Sequence, residues 1–419
     1  MRQHGAVRVV PRPPSLPAPV WILNLGMAVN TVGSGMVMPF LLIYLHNVRG
    51  FSLGAAGLVP AVHFATALVF GIAAGIAFDR LGGRETAAAS LILLAVGFGA
   101  FPFVDELWHA LALGALAGIG RGAFWPSYSG LLAALTPPEL RPSAYAVQRV
   151  AGNLAIALGS LVAGLVLSTS APGTFTIVFV ASAVLNAVFA VMIGFLPRVA
   201  VEPTARGAGG YRVVSRDRAF VGLIAINFVF VTAGVALLTT VLPVFAKTTV
   251  GVSELIVGLL FVVNTVAIVL GQFPVTRLLR GESRMRALAL MGGVWALSWL
   301  LVLTAAGASS SAVAVGFLFV AVAAFALGEC VHGVVQGPLV SDLAPAALRG
   351  RYMAAWLTTA QLGFAVGPGL GAFVLEQSPA LLWLGAAAVC VAAALAALGL
   401  DQALPAAVRR SPARPPATT

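Results

Sequence analysis

The sequence predicts an all-α membrane protein of twelve transmembrane helices, arranged as two pseudo-symmetric six-helix bundles. Three observations carry this reading: the composition, the spacing of the apolar runs and a weak internal repeat. Of 419 residues, 60% are hydrophobic and only 9% are charged, and the mean hydropathy is +1.01. Soluble domains carry about 25% charged residues. This chain therefore lacks the polar surface to face water, and lipid is its main solvent. A soluble enzyme domain, a fibrous chain and a disordered chain are excluded.

The apolar segments fall at about 19–44, 54–78, 86–104, 108–134, 144–168, 174–196, 219–245, 254–276, 287–306, 311–340, 352–375 and 380–400. Each is close to or above the roughly 20 residues that cross a bilayer as a helix. The chain then divides into a basic, Pro-rich tail (1–18), a first bundle (19–196), an Arg/Gly/Pro-rich linker (197–218), a second bundle (219–400) and a second tail (401–419). The first tail is not read as a signal peptide, because the apolar run after it is too long and lacks a small-residue cleavage site. Both cysteines, Cys330 and Cys390, lie within apolar runs, so no disulfide framework is expected.

The net charge of +11 is a topology signal rather than a nucleic-acid patch. Twenty-one arginines lie in the tails, the linker and the even-numbered connectors, whereas the odd connectors hold only Arg49 and Lys247. The positive-inside rule places both termini in the cytoplasm of a cell with an inner (plasma) membrane that the chain crosses many times. The two halves also resemble each other. LTPPELR at 135–141 returns as LAPAALR at 343–349, and the same offset of 208 pairs Gly159 with Gly367 and Arg121 with Glu329. Around the second and eighth connectors the offset is nearer 200, pairing Gly71 with Gly271 and Arg84 with Arg284. Parallel repeats of this kind place a substrate site between the halves, near the bilayer midplane.

Between segments two and three stands Gly75-Ile-Ala-Phe-Asp79-Arg80-Leu-Gly82-Gly83-Arg84. It resembles the G-x-x-x-D-R-x-G-R-R loop signature of the major facilitator superfamily, with Gly83 where that family usually has Arg or Lys. The resemblance extends over the whole chain, through twelve segments, the duplicated half and the central linker. It implies the major facilitator fold. Physically, the glycines permit a tight turn and close helix packing. Asp79 at a helix end is suited to pair with neighbouring arginines or with a helix N-terminus of the other half. The expectation is a cytoplasmic latch of Gly75, Asp79, Arg80, Gly82 and Arg84, against the plainer reading of a solvated turn. The second copy, running from Gly271 to Arg284, has lost its Asp.

Segment four carries Arg121 near its middle. A cation there costs at least ~2.5–3.5 kcal/mol, so it should face the bundle interior or a wet cavity. It also resembles the fourth-helix Arg of drug-exporting members of the superfamily, which implies a part in proton coupling. Glu329 is its repeat mate and the one carboxylate deep in an apolar segment, and His332 lies on the same helical face. Desolvation favours the neutral form of such a carboxyl and a close Arg its charged form, so Glu329 is the expected proton carrier. The rival reading is a fixed Arg121–Glu329 ion pair spanning the halves. Asn24, Asn30, His63, Trp125, Tyr128, Asn227 and Asn264 are the expected cavity residues, although buried Asn also serves as glue between helices. A cavity of scattered amides and aromatics suits a bulky lipophilic ligand better than a sugar.

Segment eleven has Gly363-Phe-Ala-Val-Gly367-Pro368-Gly369-Leu-Gly371. This is similar to a Gly/Pro antiporter signature that the exporters carry in segment five. Gly363, Gly367, Pro368 and Gly371 permit a close, bendable helix contact. Walker, His-Glu-x-x-His and Cys-x-x-Cys motifs are missing, so neither enzyme chemistry, nor a metal, nor a cofactor is expected. The leading expectation is a monomeric, proton-coupled exporter of small amphipathic compounds, of multidrug type. The alternative is an uptake symporter or facilitator for a small nutrient in the same fold.

Overall fold

The computed structural model describes residues 16–198 and 211–412, with side chains described throughout except at 72–81 and 211. Among the described residues, twelve long helices alternate in direction: α1 Ala18–Val48, α2 Leu53–Leu81, α3 Gly83–Gly99, α4 Leu107–Leu135, α5 Arg141–Val166, α6 Gly173–Gly194, α7 Arg218–Val250, α8 Glu254–Leu278, α9 Arg284–Ala306, α10 Ser311–Leu343, α11 Arg349–Gln377 and α12 Pro379–Leu400. In lipid a backbone must satisfy its own polar groups, which is why these apolar runs are helical from end to end. Eleven are long and apolar enough to cross a membrane. The remaining one, α4, has the length, but its run is interrupted by Arg121, Trp125, Pro126 and Tyr128. Of the predicted linker, 199–210 lies outside the described residues. Tyr211–Val214 forms a helical turn, and Arg218 already belongs to α7.

The helices form two six-helix bundles, α1–α6 and α7–α12, whose duplication is legible in the backbone. Glycines with positive φ occur at matching turns: Gly50 (+76°) and Gly251 (+79°) before the second helix of each half, Gly82 (+95°) and Gly281 (+74°) after it. Only glycine adopts these angles without steric cost. Within each bundle the fifth helix lies against the first through the repeat mates Gly159 and Gly367. A Cβ at Gly159 would overlap the Val32 carbonyl oxygen, and one at Gly367 would sit 2.9 Å from that of Thr232. Gly363 and Gly371 face α7 in the same way, against Val231 and Leu237.

The end bearing Ala18, Gly194 and Leu400 will be called the terminal end, and the opposite one the distal end. Among the described residues, close approaches between bundles lie toward the distal end. A Cβ at Gly57 of α2 would be 2.5 Å from Ala372 Cβ and 2.8 Å from the Pro368 oxygen of α11. Its counterpart in α8, Gly258, lies against Ser160 and Gly164 of α5. Two carboxylates complete this seal. Glu376 Oε2 accepts from the Gly54 backbone N–H at 2.8 Å, at the start of α2. Glu254 Oε1 accepts from Thr169 N–H at 2.8 Å and pairs with Lys247 at 3.0 Å.

At the terminal end each half ties its third helix to its sixth. Arg84 donates to the Gly194 and Leu196 carbonyls at 3.1 and 3.0 Å. In the second half, Ser283 Oγ donates to Asp401 at 2.8 Å, and Ser411 exchanges backbone hydrogen bonds with Gly281 and Glu282. Arg284, 3% exposed in its side chain, pairs with Asp342 at 2.6 Å. Asp342→Ala strands that guanidinium, and is expected to cost about 1–3 kcal/mol. Thermal melts in detergent check this, with Asp342→Asn losing less because one acceptor remains.

Candidate functional site

The site is built on α4, which glycines let sink between its neighbours. Gly114, Gly118 and Gly122 face α2 at Val59, His63 and Ala67, while Gly120 faces Ser90 and Leu94 of α3. Small residues at four-residue spacing allow such backbone approach. Arg121, between two of these contacts, is thereby held over the Phe64 ring of α2, its Cζ 5.2 Å from the centroid. Phe64 in turn stacks on Phe364 of α11, centroids 4.9 Å apart. The Arg121 Nε and both ring nitrogens of His63 are buried without hydrogen-bond partners among the described residues.

These groups line a cavity of about 590 Å³ between the bundles. Its distal roof is Met38, Pro39, Thr239 and Thr240, and its wall runs toward the terminal end as far as Trp125 and Tyr145, which are 36% and 40% exposed. The roof lies where α1 and α7 depart from regular helix. Met38–Phe40 is a 3₁₀ turn with Pro39 inside it, and Leu237–Val241 is a π turn that ends two residues before Pro243; each proline removes a backbone donor. Most of the wall comes from the first bundle. The second is filled at the matching depth by aromatics: Trp295 stacks on Phe325 at 4.3 Å and Trp299 on Trp383 at 5.0 Å.

Of the expected cavity residues, Asn30, His63 and Trp125 line it. Asn30 also donates to Asn186 Oδ1 at 2.6 Å, tying α1 to α6. Three others are corrected. Asn24 and Tyr128 are buried against each other, the phenol donating to Asn24 Oδ1 at 3.1 Å. Asn227 donates to Thr359 Oγ1 at 3.0 Å and meets His332 Nε2 at 3.1 Å. Each pair holds helices of one bundle together, so the amides are spent inside it. Asn264 donates to Glu329 Oε2 at 2.6 Å and borders a separate small hollow with Phe261 and Val322.

Arg121 and Glu329 do not form an ion pair. Each turns instead to the second helix of its own half, and their partners Phe64 and Asn264 are themselves repeat mates at offset 200. The pseudo-symmetry is kept at the level of side chains, and it draws the charges apart. His332 stacks on Trp295 at 6.2 Å. Of the expected latch, the Gly75, Asp79 and Arg80 side chains lie outside the described residues. Gly82 and Arg84 are described, and Arg84 binds α6 of its own half rather than the other bundle.

The sequence reading counted Arg149 as a connector cation. The structure corrects this: it lies in α5, lines the cavity and reaches across to α10. A Cβ at Gly333 would be 2.7 Å from Arg149 Nη2, so the missing side chain of Gly333 makes room for the guanidinium. Gln148 and Asn153 were missed with it. The available signal was spacing: Tyr145, Gln148, Arg149, Gly152, Asn153 and Ile156 recur at three and four residues and mark one helical face.

Two facing bundles around a membrane-embedded cavity, joined tightly at one end, define the class as a multi-pass membrane transporter. The chain belongs to the Major Facilitator Superfamily, whose profile matches residues 23–332 and again 233–418. Among curated relatives it is 27% identical over 367 residues to the uncharacterized MFS-type transporter YttB of Bacillus subtilis, covering 86% of this chain and 89% of that one. It is 24% identical to the multidrug resistance protein MdtH of Aeromonas hydrophila, covering 87% and 90%. Among solved structures, a peptide transporter POT in complex with sulfate superposes with TM-score 0.75 at 15% identity, covering 94% of this chain and 96% of that one. The nucleoside transporter NupG gives TM-score 0.71 at 15% identity, covering 92% and 99%. At these identities the structural likeness concerns the fold.

Proposed function

We propose that the protein exports small amphipathic compounds, as a multidrug-type secondary transporter that exchanges them for protons by alternating access. The cavity carries this reading: about 590 Å³, largely aromatic and aliphatic with few amides, and roofed at the distal end. Such a site suits bulky, partly apolar ligands. The arginine distribution favours a cytoplasmic terminal end, which makes this an inward-facing state receiving cargo from inside the cell. The names of the MdtH relatives point the same way, as does a Na(+), Li(+), K(+)/H(+) antiporter of Planococcus maritimus, 23% identical over 379 residues. Asp79 and Arg80 are assigned to a latch that closes the terminal end in the opposite state, and the working unit is taken as a monomer.

Glu329 is the proposed proton carrier. Only its Oε2 is engaged, by Asn264, which leaves Oε1 to take up and release the proton. A bare carboxylate is costly in a nearly dry interior and protonation removes that cost, so the site binds a proton in one state and yields it when the environment changes. In inside-out vesicles, substrate should drive proton movement in the wild type, and Glu329→Gln should lower this flux at least about tenfold, as for loss of an obligate carrier. Unchanged flux in Glu329→Gln overturns the coupling role.

A further inference from the structure

The charges on the cavity wall point to a narrower class of cargo. We propose that the cavity selects organic anions: compounds with a flat, mostly apolar body and an acidic group held by Arg121 and Arg149. This rests on the reading of the cavity as the cargo site.

Two guanidinium groups, from α4 and α5, stand on the wall, and no Asp or Glu lines it among the described residues. Neither arginine forms an ion pair there. Arg121 is compensated only by the Phe64 ring, and its Nε donor has no acceptor. A ring face offsets part of the cost of a desolvated cation, but it does not replace a carboxylate or phosphate accepting from the guanidinium fork. His63 lines the same wall and, as a neutral imidazole, offers one further N–H donor. A wall with two guanidinium groups and an unpaired Arg121 Nε is suited to an anionic group. Phe364, stacked on the buried Phe64 where the two bundles meet, lines the same cavity and gives an aromatic body a ring to pack against. A lipophilic cation would be a third positive charge beside Arg121 and the more exposed Arg149, so the same residues that attract an anion disfavour its cationic analogue.

Fluorescein and rhodamine 123 test this, since they share a xanthene body and differ in the sign of their charge. Binding of each to the purified, detergent-solubilised protein is measured by fluorescence anisotropy at pH 8. Fluorescein should bind at least about tenfold tighter, the margin of one well-placed charge pair. Arg121→Gln and Arg149→Gln should each erase most of that preference without weakening rhodamine 123, while Arg121→Lys, which keeps the charge, should retain part of it. Equal or tighter binding of rhodamine 123 overturns the proposal, as does a preference unchanged in both Gln variants. The export reading fails separately. If fluorescein binds as expected but a pH gradient does not move it in vesicles, anion selection stands and proton exchange falls. If the gradient drives rhodamine 123 outward with no anion preference, the reverse holds.

Discussion

Gly57→Leu should nearly abolish transport while leaving both bundles folded. Gly57 is the point where α2 meets α11, and a Cβ there would be 2.5 Å from Ala372 Cβ and 2.8 Å from the Pro368 oxygen. The clash lies between bundles, so each half keeps its own packing and only the distal seal is wedged. Overfilling a tight contact costs about 1–3 kcal/mol, which shifts the balance between sealed and unsealed distal states by about 5- to 150-fold. Thr240→Cys, on the roof of the cavity, provides the readout. An impermeant maleimide applied from the distal side should label it faster in the Gly57→Leu background. Normal transport together with unchanged labelling would mean that the seal is not part of the cycle.

The opposite signature is expected for Gly159→Leu. Gly159 contacts Val32 and Met36 of α1 inside the first bundle, so its substitution attacks folding rather than cycling. Backbone lies on the other side of this contact, with no flexible side chain to swing away. A loss of about 3 kcal/mol, at the upper end for overpacking, is expected. The mate, Gly367→Leu, should be milder, because a Cβ there first meets Ala236 Cβ at 2.6 Å and only then the Thr232 oxygen at 2.9 Å. Melting temperatures of the two variants in one detergent decide the matter. An undiminished melting temperature for Gly159→Leu would refute the close α1–α5 contact.

The helices were legible in the sequence because crossing a bilayer takes some 20 apolar residues, whatever those residues touch. Facing was much less legible. Helices that are apolar all round carry no stripe to say which side looks at the cavity. That is why Asn24, Tyr128 and Asn227 were placed on a wall they do not reach. Where polar residues do recur with helical period, as from Tyr145 to Asn153 in α5, the face was readable, but Arg149 was absorbed into the count of connector charges. The Arg121–Glu329 pairing failed for a different reason. Equivalent positions in two repeats occupy equivalent surroundings, so if one looks toward the second helix of its own half, so does the other. Duplication predicts parallel environments, not mutual contact.

The stitching of Ser411 to Gly281 and Glu282 has a practical corollary. A fluorescent reporter or affinity handle joined directly at Ser411 would compete with those backbone bonds and loosen the edge of the second bundle. A spacer inserted beyond residue 412 spares them, so two fusions differing by a few residues can behave as different proteins on a purification column, although neither touches the cargo site.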